Sequence, residues 1–118
     1  MSGTTVLTAA LFVPPHNPAC ALMNELAEVL DRHSGGRLRL RIDHSEARGP
    51  TAEHYDLAAT GAADVAYMIH SATPGRFPLT ELATLPPIAD ARAGTAALQR
   101  LIPGPLRAEH RGVKLLFL

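Results

Sequence analysis

The run TVLTAALFV at residues 5–13 constrains the fold more than any other stretch of this chain. It is almost wholly apolar and stops at Pro14 and Pro15. An apolar run of this length, bounded by breakers, predicts a strand covered on both faces, the kind found inside a parallel sheet. The residues after the two prolines fit a helix. Asn17 supplies a cap for orphan N–H groups, and Pro18 tolerates the first helical position. Leu22, Met23, Leu26, Val29, Leu30 and His33 then recur at helical spacing. Arg32 and His33 suit the negative end of the helix dipole, and Gly35 or Gly36 supplies a left-handed stop.

Strand and helix patterns keep alternating along the chain. RLRLRID at 37–43 alternates arginine with Leu38, Leu40 and Ile42, which predicts a strand with one solvated face at a sheet edge. A turn over EARGP precedes a short helix that ends at Gly61, and residues 63–69 predict a third strand apolar on both faces. The segment 67–86, YMIHSATPGRFPLTELATLP, shows no clear period and is long for a loop. Asp90 caps a helix over 90–102, weakened by Gly94. PGP at 103–105 breaks it, a turn or two of helix comes next in LRAEHRG, and VKLLFL at 113–118 predicts a fourth strand. Strands alternating with helices imply a three-layer α/β fold with a mostly parallel sheet, here one domain over residues 1–118. An apolar strand reaching the last residue reads as an interrupted chain, because termini are ordinarily polar and frayed.

Composition excludes some classes. Lys plus Arg balances Asp plus Glu at 11 each, which argues against a nucleic-acid surface. No run reaches the roughly 18 apolar residues of a membrane span. The opening MSGTTVLTAALF lacks the basic region, long apolar stretch and cleavage site of a secretory signal. A cytoplasmic protein or a mature sequence carrying a new initiator Met would both fit.

The candidate site residues come from the geometry of the fold class. Ligands of open α/β sheets bind beyond the carboxyl ends of the strands, and His16, His44 and His70 each lie just past a predicted strand end. The plainer alternative for each is a solvated loop imidazole. The six histidines form no H-x-x-x-H or Cys-paired motif, so no metal and no cofactor is expected. Cys20 lies in the first turn of a helix with no catalytic context, and no nucleophile has both a base and an orienting partner. No enzyme is expected.

Five segments fall together: LFVPPHNP, LAEVLDRHSGGRLRLRI, AEHYDLAATGAADVAYM, TPGRFPLTELATLPPI and GVKLLFL. In order and spacing they resemble the solute-binding proteins of tripartite ATP-independent periplasmic (TRAP) transporters, over the N-terminal part of the first lobe. The resemblance implies one lobe of a periplasmic-binding-protein type II-like fold. It implies a periplasmic location, small organic acids as ligands and TRAP membrane subunits as partners. It also implies a second lobe carrying the arginine that clamps the carboxylate, and that lobe has no counterpart in these residues.

Segments after the first three strands line the cleft in such proteins. They nominate His16, Asn17, Glu46, Tyr67, His70 and Arg76 as ligand-binding residues. Asn17 could serve only as a helix cap, and Arg76 only as an anchor for its loop. In the family a strand returning from the second lobe enters the sheet between the third and fourth strands. Without it, unpaired edges would favour a homo-oligomer, most simply a homodimer. Two functions are compatible with this reading: a solute-binding lobe impaired in ligand binding, or a self-associating module or engineered fragment with no ligand.

Overall fold

The computed structural model describes residues 3–84 and 90–118. Residues 85–88 at the end of the TELATLPPI stretch, Ala89, and the first two residues of the opening segment lie outside the described residues. The chain divides into two compact units, Met1–Ile69 and His70–Leu118.

The first unit is a parallel sheet of three strands in the order β2-β1-β3. Strand β1 is Thr5–Ala10, β2 is Leu38–Asp43 and β3 is Val65–Ala66. β1 pairs with β2 along six residues, from Thr5 opposite Leu38 to Ala10 opposite Asp43. It meets β3 only at Ala9 and Ala10. This explains a correction to the sequence reading: β1 is not covered on both faces throughout. Its first half has one neighbouring strand, and Val6 is 55% exposed, whereas Ala9, Ala10 and Leu11 are fully buried. β2 sits at the edge as its alternation predicts, with Arg39 and Arg41 exposed and Leu38, Leu40 and Ile42 half-buried.

Helix α1, Pro18–His33, starts where the sequence places it. The Asn17 side chain accepts a hydrogen bond from the Ala19 N–H at 2.9 Å. Its far end closes as a paired stop. Gly36 N–H donates to Asp31 O at 2.8 Å and Gly35 N–H to Arg32 O at 3.3 Å, with φ of 81° and 63° that favour glycine. The buried face is centred on Cys20 and Met23, with Leu26 packed against it. The predicted stripe was too wide: Leu22 and Val29 are exposed, and so is His33. Helix α2, His54–Thr60, continues a single 3-10 turn at Thr51–Glu53 and stops at Gly61 in the left-handed region.

Three predicted features shrink or change in the structure. The third strand is two residues long rather than seven, because β1 ends at Ala10 and the next residues turn to the loop after β2. The irregular stretch behind it belongs to the second unit from His70 onward and is not structureless. It holds 3-10 turns at His70–Ala72 and Leu82–Thr84 and a short helix α3, Pro78–Glu81. Thr73 to Arg76 form a tight turn, with Arg76 N–H donating to Thr73 O at 3.2 Å and Gly75 at φ 82°.

Further along, α4 is Ala91–Leu101, and the Asp90 carboxylate accepts from the N–H groups of Arg92 and Ala93 at its start. PGP then breaks the path at Gly104, whose φ and ψ of −112° and −117° are not helical. A final turn α5, Arg107–Glu109, comes after the break. The predicted fourth strand is absent: residues 113–118 join no ladder among the described residues. Apolar character alone does not make a strand; its N–H and C=O groups need a partner strand. No helix among the described residues is long and apolar enough to cross a membrane.

Candidate functional site

In the first unit the loops beyond the carboxyl ends of the strands are laced together by backbone. Leu11 N–H donates to Asp43 O at 2.9 Å, Ser45 N–H to Val13 O at 3.0 Å, Glu46 N–H to Leu11 O at 3.2 Å, and Tyr67 N–H to Ala10 O at 2.9 Å. Ser45 and Glu46 both lie at positive φ, 55° and 59°. Two consecutive non-glycine residues there cost on the order of 1–2 kcal/mol each. The bonds to Val13 and Leu11 hold them in place, so the turn after β2 is strained but fixed.

Four of the six sequence-predicted residues belong to this rim. His16 is exposed, in the turn before α1. Asn17 is half-buried and spends its side-chain oxygen on the helix cap. The Glu46 carboxylate accepts from Thr51 N–H at 2.6 Å and from the Thr51 hydroxyl at 3.1 Å, so one oxygen caps the turn that leads into α2. Tyr67 is half-buried and stacks on Phe12, with ring centroids 5.4 Å apart and planes 10° apart.

Phe12 was not singled out from the sequence, although it lies in the same strand-end run as His16. Phe12 and Tyr67 are both partly buried and pack against the core of the first unit. Behind them His54 is fully buried. Its Nδ1 lies 3.1 Å from Tyr67 O and its Nε2 3.1 Å from Gly49 O, and its ring meets Phe12 edge-on. His54 thus pins the Tyr67 backbone to the loop after β2.

A second contact missed by sequence reasoning joins Cys20 and His44. The thiol sulfur lies 3.2 Å from His44 Nδ1 and 3.3 Å from Pro14 O. Thiol beside imidazole at a helix start resembles an activated nucleophile. Cys20 is, however, fully buried, so no substrate reaches the sulfur. The pair ties the start of α1 to the end of β2.

The other two predicted residues, His70 and Arg76, lie in the second unit. His70 Nε2 is 2.8 Å from Nε2 of His110, which is itself buried. His110 Nδ1 is 2.7 Å from the Leu106 carbonyl, so it donates there, and of the two facing Nε2 atoms one donates to the other. Phe77, also buried, stacks on His110 at 4.7 Å and meets His70 edge-on at 4.9 Å. The Arg76 guanidinium lies over the Phe77 ring, 5.6 Å from its centroid. Burial lowers the His70 pKa, and the charge of His110 lowers it further against the pull of Glu109 and Glu81.

Glu109 anchors α3, accepting from the N–H groups of Leu79 and Thr80 and from the Thr80 hydroxyl at 2.6, 3.0 and 2.7 Å. Burial works to raise its pKa, but these hydrogen bonds outweigh it and the net shift is downward. Among the described residues no group of three or more His, Cys, Asp or Glu is placed to hold a metal ion.

No family model and no curated protein sequence matches the chain. Solved structures do. A marine metagenome TRAP solute-binding protein specific for aromatic acid ligands, crystallised with 3-hydroxybenzoate, matches at TM-score 0.89 and 24% identity, over 98% of this chain and 37% of that one. The TRAP solute-binding protein of Rhodoferax ferrireducens, in complex with copurified benzoate, matches at 0.82 and 25% identity, over 92% and 35%. That of Bordetella bronchiseptica, with bound mandelate, matches at 0.81 and 31% identity, over 96% and 37%.

The α/β architecture with its parallel sheet is therefore one found in solute-binding receptors. Within that class the chain is similar to the TRAP solute-binding proteins, as the sequence segments indicate, and it spans about a third of the length of the chains it matches.

Proposed function

We propose that these residues form part of the first lobe of a TRAP-type receptor for small organic acids. The observation that carries this reading is the match over nearly the whole chain to receptors bound to benzoate, 3-hydroxybenzoate and mandelate. The stacked pair of Phe12 and Tyr67 at the strand ends supports it, because aromatic rings suit an aromatic acid. In this reading His16, Asn17, Glu46 and Tyr67 of the first unit border the ligand, and His70 and Arg76 are ligand-binding candidates of the second unit taken by itself. The intact receptor works in the periplasm and delivers its solute to TRAP membrane subunits. One lobe offers one wall, whereas small-molecule sites enclose about 70–90% of a ligand. The 118 residues by themselves bind weakly.

Calorimetric titration with a panel of aromatic and aliphatic carboxylates tests the proposal. Binding tighter than about 1 mM, or roughly −4 kcal/mol, that is lost in Tyr67→Ala supports it. Silence across the panel, both for this chain and for one extended to the length of the matched receptors, counts against it.

A second reading is supported by the sheet. β3 is a two-residue edge strand, and Leu116 and Phe117 are exposed in a segment that joins no ladder among the described residues. Such features favour self-association, most simply as a homodimer. Light scattering after size exclusion distinguishes a dimer from a monomer that persists at high concentration.

A further inference from the structure

We propose that the second unit carries a separate anion site, which takes a small carboxylate with a compact apolar body. The site is a cavity of about 280 Å³ lined by Ile102, Pro103, Arg107, His110, Val113, Lys114 and Leu115. No acidic residue lines it.

The local sequence accounts for the cavity. Pro103 and Pro105 offer no N–H to a helix, and Gly104 turns the backbone out of the helical region. The chain therefore does not continue α4 in register. Ile102 and Pro103 stand on one side of the break, Arg107 and His110 on the other, and residues 113–115 return to complete the lining. Four aliphatic side chains give the cavity apolar walls, and the buried His110 adds its ring.

Charge selects the ligand. The formal net charge of the chain is zero, yet the charges are segregated. Residues 70–118 hold Arg76, Arg92, Arg100, Arg107, Arg111 and Lys114 against only Glu81, Asp90 and Glu109. Arg107 and Lys114 have no ion-pair partner among the described residues. Two uncompensated cations beside apolar walls favour an anion over a neutral or cationic molecule. Arg107 can meet a carboxylate with two parallel N–H donors, and Lys114 adds a point charge. The walls then favour an acid with a hydrocarbon body over a bare inorganic ion. His110 already spends Nδ1 on Leu106 O and Nε2 on His70, so it contributes shape and not a donor.

Chemical-shift mapping of the 15N-labelled chain tests this, with cyclohexanecarboxylate as probe, cyclohexanecarboxamide as its neutral counterpart and acetate as charge without body. The acid should shift the amides of Val113, Lys114 and Leu115 saturably, acetate should do so more weakly, and the carboxamide should not. Arg107→Ala and Lys114→Ala should each weaken the acid about tenfold, the effect of losing one charged hydrogen bond. Both side chains are on exposed residues, and the spectrum itself reports that the variants fold. Equal response to the carboxamide, unchanged affinity in both variants, or no saturable shift at tens of millimolar acid would overturn the site. Tyr67→Ala should leave it intact, so its failure and that of the strand-end receptor site are distinguishable; loss of these shifts in Tyr67→Ala would also overturn it.

Discussion

His70 and His110 share one proton position across 2.8 Å between their Nε2 atoms. With His110 Nδ1 committed to Leu106 O, the pair holds its geometry while one of the two facing Nε2 atoms carries no proton. A second proton would leave two facing N–H groups and no acceptor.

This gives a pH dependence of known sign. The His70 pKa is lowered below its ordinary value of 6.5, by burial first and by His110 second. A lowered folded-state value means that the unfolded chain binds the proton more readily, so stability is full above about pH 6.5 and declines as pH falls toward the folded-state value. Urea unfolding measured between about pH 7.5 and pH 5 should show that decline, and His70→Asn should flatten it. Glu109 acts in a lower window: its net downward shift gives stability that is full above its ordinary value of 4.5 and is lost as pH falls from there through the lower folded-state value. An undiminished slope in His70→Asn would assign the effect elsewhere.

The cap on α1 is a second measurable quantity. Asn17→Ala removes the acceptor for the Ala19 N–H and should cost about 1 kcal/mol of stability in denaturant titration. Asn17→Asp keeps the acceptor and should stay close to the parent. If Asn17→Ala weakens carboxylate binding without this loss, the residue serves the ligand and not the helix.

Ser45 and Glu46 should separate strain from capping. Ser45→Gly relieves a positive φ at a side chain that is exposed and should stabilise by up to about 1 kcal/mol. Glu46→Gly relieves a similar strain but deletes the carboxylate that receives Thr51, so its net effect should be near zero or destabilising. Matched thermal melts of the two variants decide this; equal gains would mean that the Thr51 contact contributes nothing.

Cys20 should be inert in the folded chain. It is fully buried against His44 and Pro14, so iodoacetamide should label it only through transient opening, orders of magnitude more slowly than in denaturant. Fast labelling of the native chain would show that the start of α1 is loose.

Local chemistry was legible in the sequence. Asn17 and Asp90 as caps, the glycine stop after α1, Gly61 and the arginine-flanked edge strand each depend on a few adjacent residues. Tertiary partners were not. Cys20 meets His44 across 24 positions, and His70 meets His110 across 40; neither spacing has a signature. The length of β3 and the state of residues 113–118 depend on which backbone lies alongside, and apolar runs carry no record of that. At the rim, the strand-end rule pointed to His16 and the resemblance to Glu46 and Tyr67, but neither could foresee that Glu46 would bond to Thr51, or that Phe12 would lie flat on Tyr67.

The two margins of the sheet are chemically unequal. One is bordered by the exposed Arg39 and Arg41, which pair with Asp31 at 3.8 Å and Asp43 at 3.4 Å and keep water close. The other is a dipeptide of Val65 and Ala66, with no charge of its own. A strand recruited to this sheet, from within a longer polypeptide or from another molecule, would meet less side-chain charge beside Val65 and Ala66 than beside Arg39 and Arg41.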